Sequence, residues 1–322
     1  MRGAFFRALM DLAAEDKRVY LLVGDLGFGV AEPFIQKFPE RFLNLGVAEQ
    51  NMTGVAAGIA LTGKIVFTYS IANFPVLRCL EHVRNDVCYH KANVKIVSIG
   101  GGYSYGALGA SHHATEDLAI ARALPEMVVV APGDPIESEA ATRAIAKHDG
   151  PCYLRLGRAG EPAIHASNIN FQLGRAIRVR EGDAVTLIST GAMLQTSVEV
   201  AGILSTQGIS ARVLSMHTLK PLDTGAVLSA AQETRAIVTI EEHSVAGGLG
   251  GAVAECLAEF GDSRVPLKRF GIPSSFPGPV GTQEYLRDQC GLSSMSIARS
   301  LEPLLKDVQS ASFARQTAAT SR

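Results

Sequence analysis

FLNLGVAEQNMTGVAAGIAL, residues 42–61, runs an apolar strand straight into a carboxylate and then into an apolar helix. If Gly is counted, five of the six residues in FLNLGV are apolar, the pattern of a strand buried in a parallel sheet. The helix is expected to begin at about Ala48. Its stretch GVAAGIA is rich in Gly and Ala and carries no charge, so it should pack closely against neighbouring backbone rather than face water. Glu49 then sits at the carboxyl end of a strand with little water around it. A Glu in the first turn of a helix is also what the helix dipole favours. The other reading is a buried carboxyl with a raised pKa, kept protonated until a ligand nitrogen takes its proton. The rest of the chain decides between them.

The bulk properties narrow the field. A chain of 322 residues is long enough for two domains. Its 30 basic and 31 acidic residues give a formal net charge of −1, with no basic stripe interleaved with aromatics, so nucleic acid is not an expected partner. No apolar run reaches the roughly 18 to 20 residues that span a bilayer, and the start, MRGAFFRALMDLAAEDKR, carries charges within an amphipathic pattern. A soluble cytoplasmic protein is expected. The cysteines Cys79, Cys88, Cys152, Cys256 and Cys290 are scattered, without the short spacing of a zinc site or a disulfide framework, and none is assigned a catalytic role.

Strand and helix patterns alternate along the chain. VYLLVGD, FLNLGV, KIVFTYS, VKIVSIGG, MVVVAPG and CYLRLGR read as strands, separated by amphipathic segments such as PIESEAATRAIAKHD. A polar stretch, EPAIHASNINFQLGRAIRVREGD, reads as a linker, after which AVTLIST, SARVLSM, AIVTIEE and PLKRFGI resume as strands. The fold class is α/β, with two domains that are each a mostly parallel sheet covered by helices. The first is placed at 1–165, the linker at 166–182, the second at 183–308 and a mobile tail at 309–322. Ligands of such sheets bind beyond the carboxyl ends of the strands. The loops to inspect are GDLGFG (24–29), the Glu49 turn, SIANF (70–74), GGGYSYGALGASHHATED (100–117) and GRAGEP (157–162).

In these loops the sequence resembles a known family. FPERFLNLGVAEQNMTGVAAGIAL is similar to the pyrimidine-binding domain of transketolases and related thiamine-diphosphate enzymes, whose hallmark is a glutamate in such a GxAEQNM turn. RGAFFRAL, LRCLEHVRND, SHHATEDLAIARALPEMVVVAPGD, GPCYLRLGR, HTLKPLD, IEEHSVAGGLGGAVAE and GIPSSFPGPVGTQEYL keep the same order over roughly residues 2–305. The resemblance implies that Glu49 hydrogen-bonds N1′ of the cofactor's aminopyrimidine, favouring the imino tautomer whose nitrogen removes the thiazolium proton. It implies that Phe74 stacks on the pyrimidine, with Pro75 at that position if the alignment slips by one residue. His112 becomes the substrate-facing histidine, able to bind a sugar hydroxyl or move a proton, with His113 beside it. Arg2 and Arg158 match arginines that hold a sugar phosphate, a task for which the guanidinium fork is suited.

Departures from the family's pattern put the substrate in question. A phosphate-site Ser is replaced by Gly29, a phosphate histidine by Gly100 and an acidic residue by Leu108. The loop with Tyr103 and Tyr105 is expected to shape a different pocket. The diphosphate and magnesium site is also missing, because no Gly-Asp-Gly occurs in the sequence. The chain is therefore expected to be the C-terminal subunit of a split transketolase-like enzyme, transferring a two-carbon ketol unit from a ketose or ketose phosphate to an aldehyde. The expected partner is an N-terminal subunit carrying Gly-Asp-Gly and a later Asn, in an α2β2 assembly that binds thiamine diphosphate and magnesium. Two alternatives remain open: the beta subunit of a 2-oxo acid dehydrogenase or decarboxylase, and an inactive regulatory subunit. His217 and the Glu241–His243 run are expected at interfaces or in structural roles, and the glycines of GGLGGAVAE in close packing rather than at a phosphate.

Overall fold

A computed structural model describes residues 1–167, 169–261, 265–276 and 278–305. The expected tail, 309–322, lies outside them. The described residues form twelve strands: β1 (Val19–Val23), β2 (Phe42–Asn44), β3 (Ile65–Ile71), β4 (Val94–Ile99), β5 (Val128–Val130), β6 (Cys152–Leu156), β7 (Ile177–Arg180), β8 (Val185–Ser189), β9 (Ala211–Ser215), β10 (Thr218–Lys220), β11 (Ile237–Ser244) and β12 (Leu267–Ile272). They make two sheets, ordered β10-β5-β6-β4-β3-β1-β2 and β12-β11-β8-β9-β7. All ten strands read from the sequence are present and pair in parallel. The sequence reading missed β7 and β10, the two antiparallel edge strands. Most interior strands are apolar runs buried on both faces, whereas an edge strand such as IRVR can alternate with charge and look like linker.

β10 changes the domain picture. It lies beyond the linker, yet it pairs with β5 and completes the edge of the first sheet. One apolar cluster accordingly runs from Met52, Val66 and Val129 on the first side to Ile188, Leu214 and Val227 on the second.

The opening stretch needs two corrections. β2 is a three-residue edge strand and not a buried one; Leu43 is 40% exposed and Val47 is 70% exposed. The helix Glu49–Leu61 buries Met52, Thr53, Ala56, Ala57 and Ala60, while Gly54, Gly58 and Leu61 face outward. The physical reason is position: β2 ends the sheet, so one side of this strand-helix unit has no layer of the chain over it.

The connection between the domains is strapped down. Asp134 caps the helix Pro135–Lys147 by accepting from Glu137 N, and its other oxygen accepts from the backbone N–H groups of Ile164 and His165 at 2.8 and 2.9 Å. His165 Nε2 lies 2.6 Å from Glu137 Oε1. Burial opposes charge on both side chains, but their mutual contact prevails and holds Glu137 below its ordinary 4.5 and His165 above its ordinary 6.5. The Glu137 contribution is present above 4.5 and fades as pH falls through its lowered folded value. The His165 contribution is present below 6.5 and is lost as pH rises through its raised folded value. Thermal melts of the wild type and His165→Gln should therefore converge as pH rises from about 6 to about 9, where an ordinary imidazole becomes neutral. A gap that stays constant over that range would remove the ion pair as its cause.

Candidate active site

Three strand ends meet at Glu49. Its side chain is 1% exposed, at the start of the helix that follows β2. Ser70 Oγ, on β3, donates to Glu49 Oε1 at 3.0 Å. Gly24, just after β1, lies so close that a Cβ there would stand 3.3 Å from the same oxygen. The sheet order places β3, β1 and β2 side by side, so residues far apart in sequence share one pocket beyond the carboxyl ends. The second carboxylate oxygen accepts from Arg78 Nη1 at 2.9 Å. Glu49 is thus buried as expected, but paired with a cation rather than standing alone in an apolar setting. That pairing answers the desolvation cost of a buried carboxylate.

From Glu49 the site extends as a row of rings. Arg78 lies over the Phe74 ring, 4.6 Å from its centroid. His112 meets Phe74 edge-on, with centroids 5.2 Å apart and planes at 69°. Tyr105 follows at 6.5 Å from His112, and the Arg158 guanidinium lies 5.2 Å from the Tyr105 ring. Arg2 joins at the same end. Met1 is held beside the Arg158 loop, where its sulfur accepts from Gly157 N at 3.4 Å and its ammonium meets Glu161 at 2.8 Å. Burial pushes the Tyr105 phenol up, and the Arg158 and Arg2 guanidiniums oppose that shift. The structure therefore brings together Glu49, Phe74, His112, Arg158 and Arg2.

His113 is set apart from them. It is 3% exposed, its Nε2 pairs with Gly106 O at 3.1 Å, and its ring packs edge-on against Tyr103 at 5.0 Å. This imidazole supports the loop from inside instead of facing a substrate. Gly100 has a matching explanation for its missing side chain: a Cβ there would run into the Tyr105 ring, and its φ is +86°. Tyr105 thus fills the space beside the position where the family's histidine would stand. Leu108, in place of an acidic residue, is 55% exposed.

Residues that the sequence reading left out of the site hold this loop in place. Glu242 on β11 accepts from Tyr103 N at 3.0 Å, while Gln283 and Arg287 donate to it at 2.8 and 2.6 Å. Buried Arg155 on β6 donates to Ala114 O, Glu242 O and the Asp117 carboxylate. The second domain therefore braces the 100–117 loop, which agrees with the interface role expected of the Glu241–His243 run. The Gly-rich helix start is filled from within: Glu241 accepts from Leu249 N and Gly250 N, both at 2.7 Å. Burial raises the Glu241 carboxyl to about 7, against the pull of those two N–H groups.

The pocket fits an aminopyrimidine. It offers a buried carboxylate for a ring nitrogen, an aromatic face and a glycine that leaves space beside the carboxylate. Among the described residues no group of three or more His, Cys, Asp or Glu is placed to hold a metal ion, and no helix is long and apolar enough to cross a membrane. Cys79, Cys88, Cys152 and Cys256 are buried free thiols, and burial pushes Cys79 up to about 11.

Comparison with known proteins agrees with this architecture. Residues 1–160 match the transketolase pyrimidine-binding domain and residues 174–297 the transketolase C-terminal domain. The chain is 42% identical to the 6-deoxy-6-sulfo-D-fructose transketolase subunit SqwH of Clostridium sp. (strain MSTE9), over 93% of this chain and 92% of that one. It is 38% identical to an apulose-4-phosphate transketolase subunit of Phocaeicola vulgatus, over 84% and 87% of the two chains. A solved split-gene transketolase, described as an inactive beta4 tetramer, superposes with a TM-score of 0.86 at 39% identity, over 95% of this chain and 97% of that one. The chain belongs to the transketolase family and corresponds to the half that holds its pyrimidine-binding and C-terminal domains.

Proposed function

We propose that this chain is the pyrimidine-binding subunit of a two-chain transketolase that moves a two-carbon ketol unit between substrates ending in a phosphate or sulfonate. The observation that carries this reading is the row Glu49, Arg78, Phe74, His112, Tyr105, Arg158, which leads from a buried carboxylate to the Arg158 guanidinium, with the Arg2 charge also acting on Tyr105. Glu49 and Phe74 hold the pyrimidine of thiamine diphosphate. When bound, that cofactor supplies the carbon centre that accepts the ketol unit from one sugar and passes it to the next. His112 stands one ring away from the pyrimidine seat and donates to, or takes a proton from, the oxygens at the reacting end. Arg158 and Arg2 bind the far end, where a tetrahedral oxyanion presents the geometry that guanidinium forks match. Related subunits named for a sulfonated fructose and for a phosphorylated apulose share this terminal chemistry.

Diphosphate and magnesium are supplied by a second subunit carrying Gly-Asp-Gly and a later Asn, in an α2β2 assembly. The relatives that match over nearly their whole length are named as subunits, and the similar beta4 tetramer is described as inactive. Both fit a site completed by another chain. Since each chain supplies part of the cofactor's contacts, cofactor and association stabilise one another. The test is to purify the tagged chain with its companion and measure the affinity between the two, with and without thiamine diphosphate and magnesium. Ketol transfer from anionic-ended ketoses and turnover of 2-oxo acids are then assayed on the complex. Tighter association with cofactor and activity on the ketoses is expected. Unchanged association would remove the shared site, and activity on 2-oxo acids alone would make this a decarboxylase subunit.

A further inference from the structure

We propose that Arg78 is a resident plug of the pyrimidine seat, which the cofactor must displace in order to bind. The inference rests on the reading of Glu49 and Phe74 as that seat.

A guanidinium and an aminopyrimidine share the features a seat of this kind recognises. Each is flat, each can lie on an aromatic face, and each can pair in its own plane with the Glu49 carboxyl, the guanidinium by donating N–H to it and the ring by accepting the carboxyl's proton at a nitrogen. Arg78 makes both contacts at once: its guanidinium carbon lies 4.6 Å from the Phe74 centroid, and Nη1 lies 2.9 Å from Glu49 Oε2. A pyrimidine stacked on Phe74 with a nitrogen at Glu49 would need the same face and the same carboxylate.

The rest of the surroundings separates a movable side chain from a fixed backbone. Gln50 Nε2 donates to Arg78 O at 3.0 Å, and Cys79 Sγ donates to Phe74 O at 3.3 Å, so the 74–79 turn is pinned from two sides. The Arg78 side chain is 45% exposed, whereas Glu49 is 1% exposed. The guanidinium can therefore swing into water without disturbing the turn. Glu49 cannot leave, and without Arg78 it would be a buried carboxylate with Ser70 as its one side-chain partner among the described residues. Arg78 thus pairs with Glu49 and shapes the seat, and its departure is the cost that cofactor entry must meet.

The test uses the full chain alone and calorimetric titration with 4-amino-5-hydroxymethyl-2-methylpyrimidine, the cofactor's ring without its diphosphate. Arg78→Met keeps the stem and removes the guanidinium; Arg78→Lys keeps the charge but not the plane, and protects the measurement if Met destabilises the chain. Circular dichroism melts check folding of both. The expected order is wild type weakest, Lys intermediate and Met tightest, with about a tenfold or greater gain between the extremes. Equal binding by all three would overturn the plug while leaving the seat intact. Weaker binding by both variants would overturn it by making Arg78 a ligand of the ring. If no form binds the ring, and Glu49→Gln does not either, the seat itself is wrongly placed and the plug falls with it.

Discussion

Glu49→Gln is expected to lower kcat for ketol transfer by about 10²–10⁴-fold in the assembled enzyme, the range typical of losing a positioned acid or base. The amide fills the same space and can still meet Ser70, so the pocket keeps its shape; what is lost is a group able to hold a proton toward a ring nitrogen. The burial of Glu49 is what gives the substitution its reach. At 1% exposure no water can take over the role of the missing carboxyl. Steady-state kinetics, a melt and the cofactor content of the purified complex together make the check. A variant that turns over within a few-fold of wild type would mean that Glu49 is only a first-turn helix residue, the reading that the helix dipole alone supports.

The second large effect is expected at His112. His112→Ala should cost about 10²-fold or more in kcat, because under the proposed function it removes a proton-carrying group next to the reacting end. Affinity for the cofactor should stay close to wild type, since the Glu49 carboxylate does not touch this ring. The geometry behind the prediction is the edge-on contact of His112 with Phe74 and its hydrogen-bonding contact with Ser111, 3.0 Å from Nδ1 to Oγ. His113→Ala is the informative control. Its imidazole braces Gly106 and Tyr103 from within, so it should lower the melting temperature more than the chemistry. If His112→Ala weakens cofactor binding as much as turnover, the histidine is a wall of the pyrimidine seat and not a participant at the substrate.

How much of this is legible in the sequence follows a physical pattern. The interior strands can be read because most are buried on both faces and show as predominantly apolar runs. β7 and β10 cannot, since IRVR alternates with charge and TLK is too short to show a pattern. Glu49, Phe74, His112 and Arg158 stand out because each follows a strand, where open α/β sheets gather their ligands. Arg78 lies in plain view within LRCLEHVRND and passes for a helix surface. Its one available signal is its spacing four residues after Phe74, which puts two side chains on one side of a helical turn. Arg155 gives none, and Glu242 shows only as part of a run expected in an interface or structural role: their partners lie 87 and 139 residues away, and only the folded chain shows that they hold the 100–117 loop. His113 misleads because adjacent histidines look alike in a sequence, while the backbone turns one outward and the other in.

β10 has one more consequence. The strand is made late in the chain but used on the early sheet, where it covers the outer edge of β5. If synthesis stopped at the linker, Val128–Val130 would present bare N–H and C=O groups, a template for pairing with another such fragment. During translation the first half must therefore wait with an open seam until residues 218–220 arrive to close it. The two halves behave like a garment with a single fastening: each is cut separately, but neither is finished until the far end is brought round.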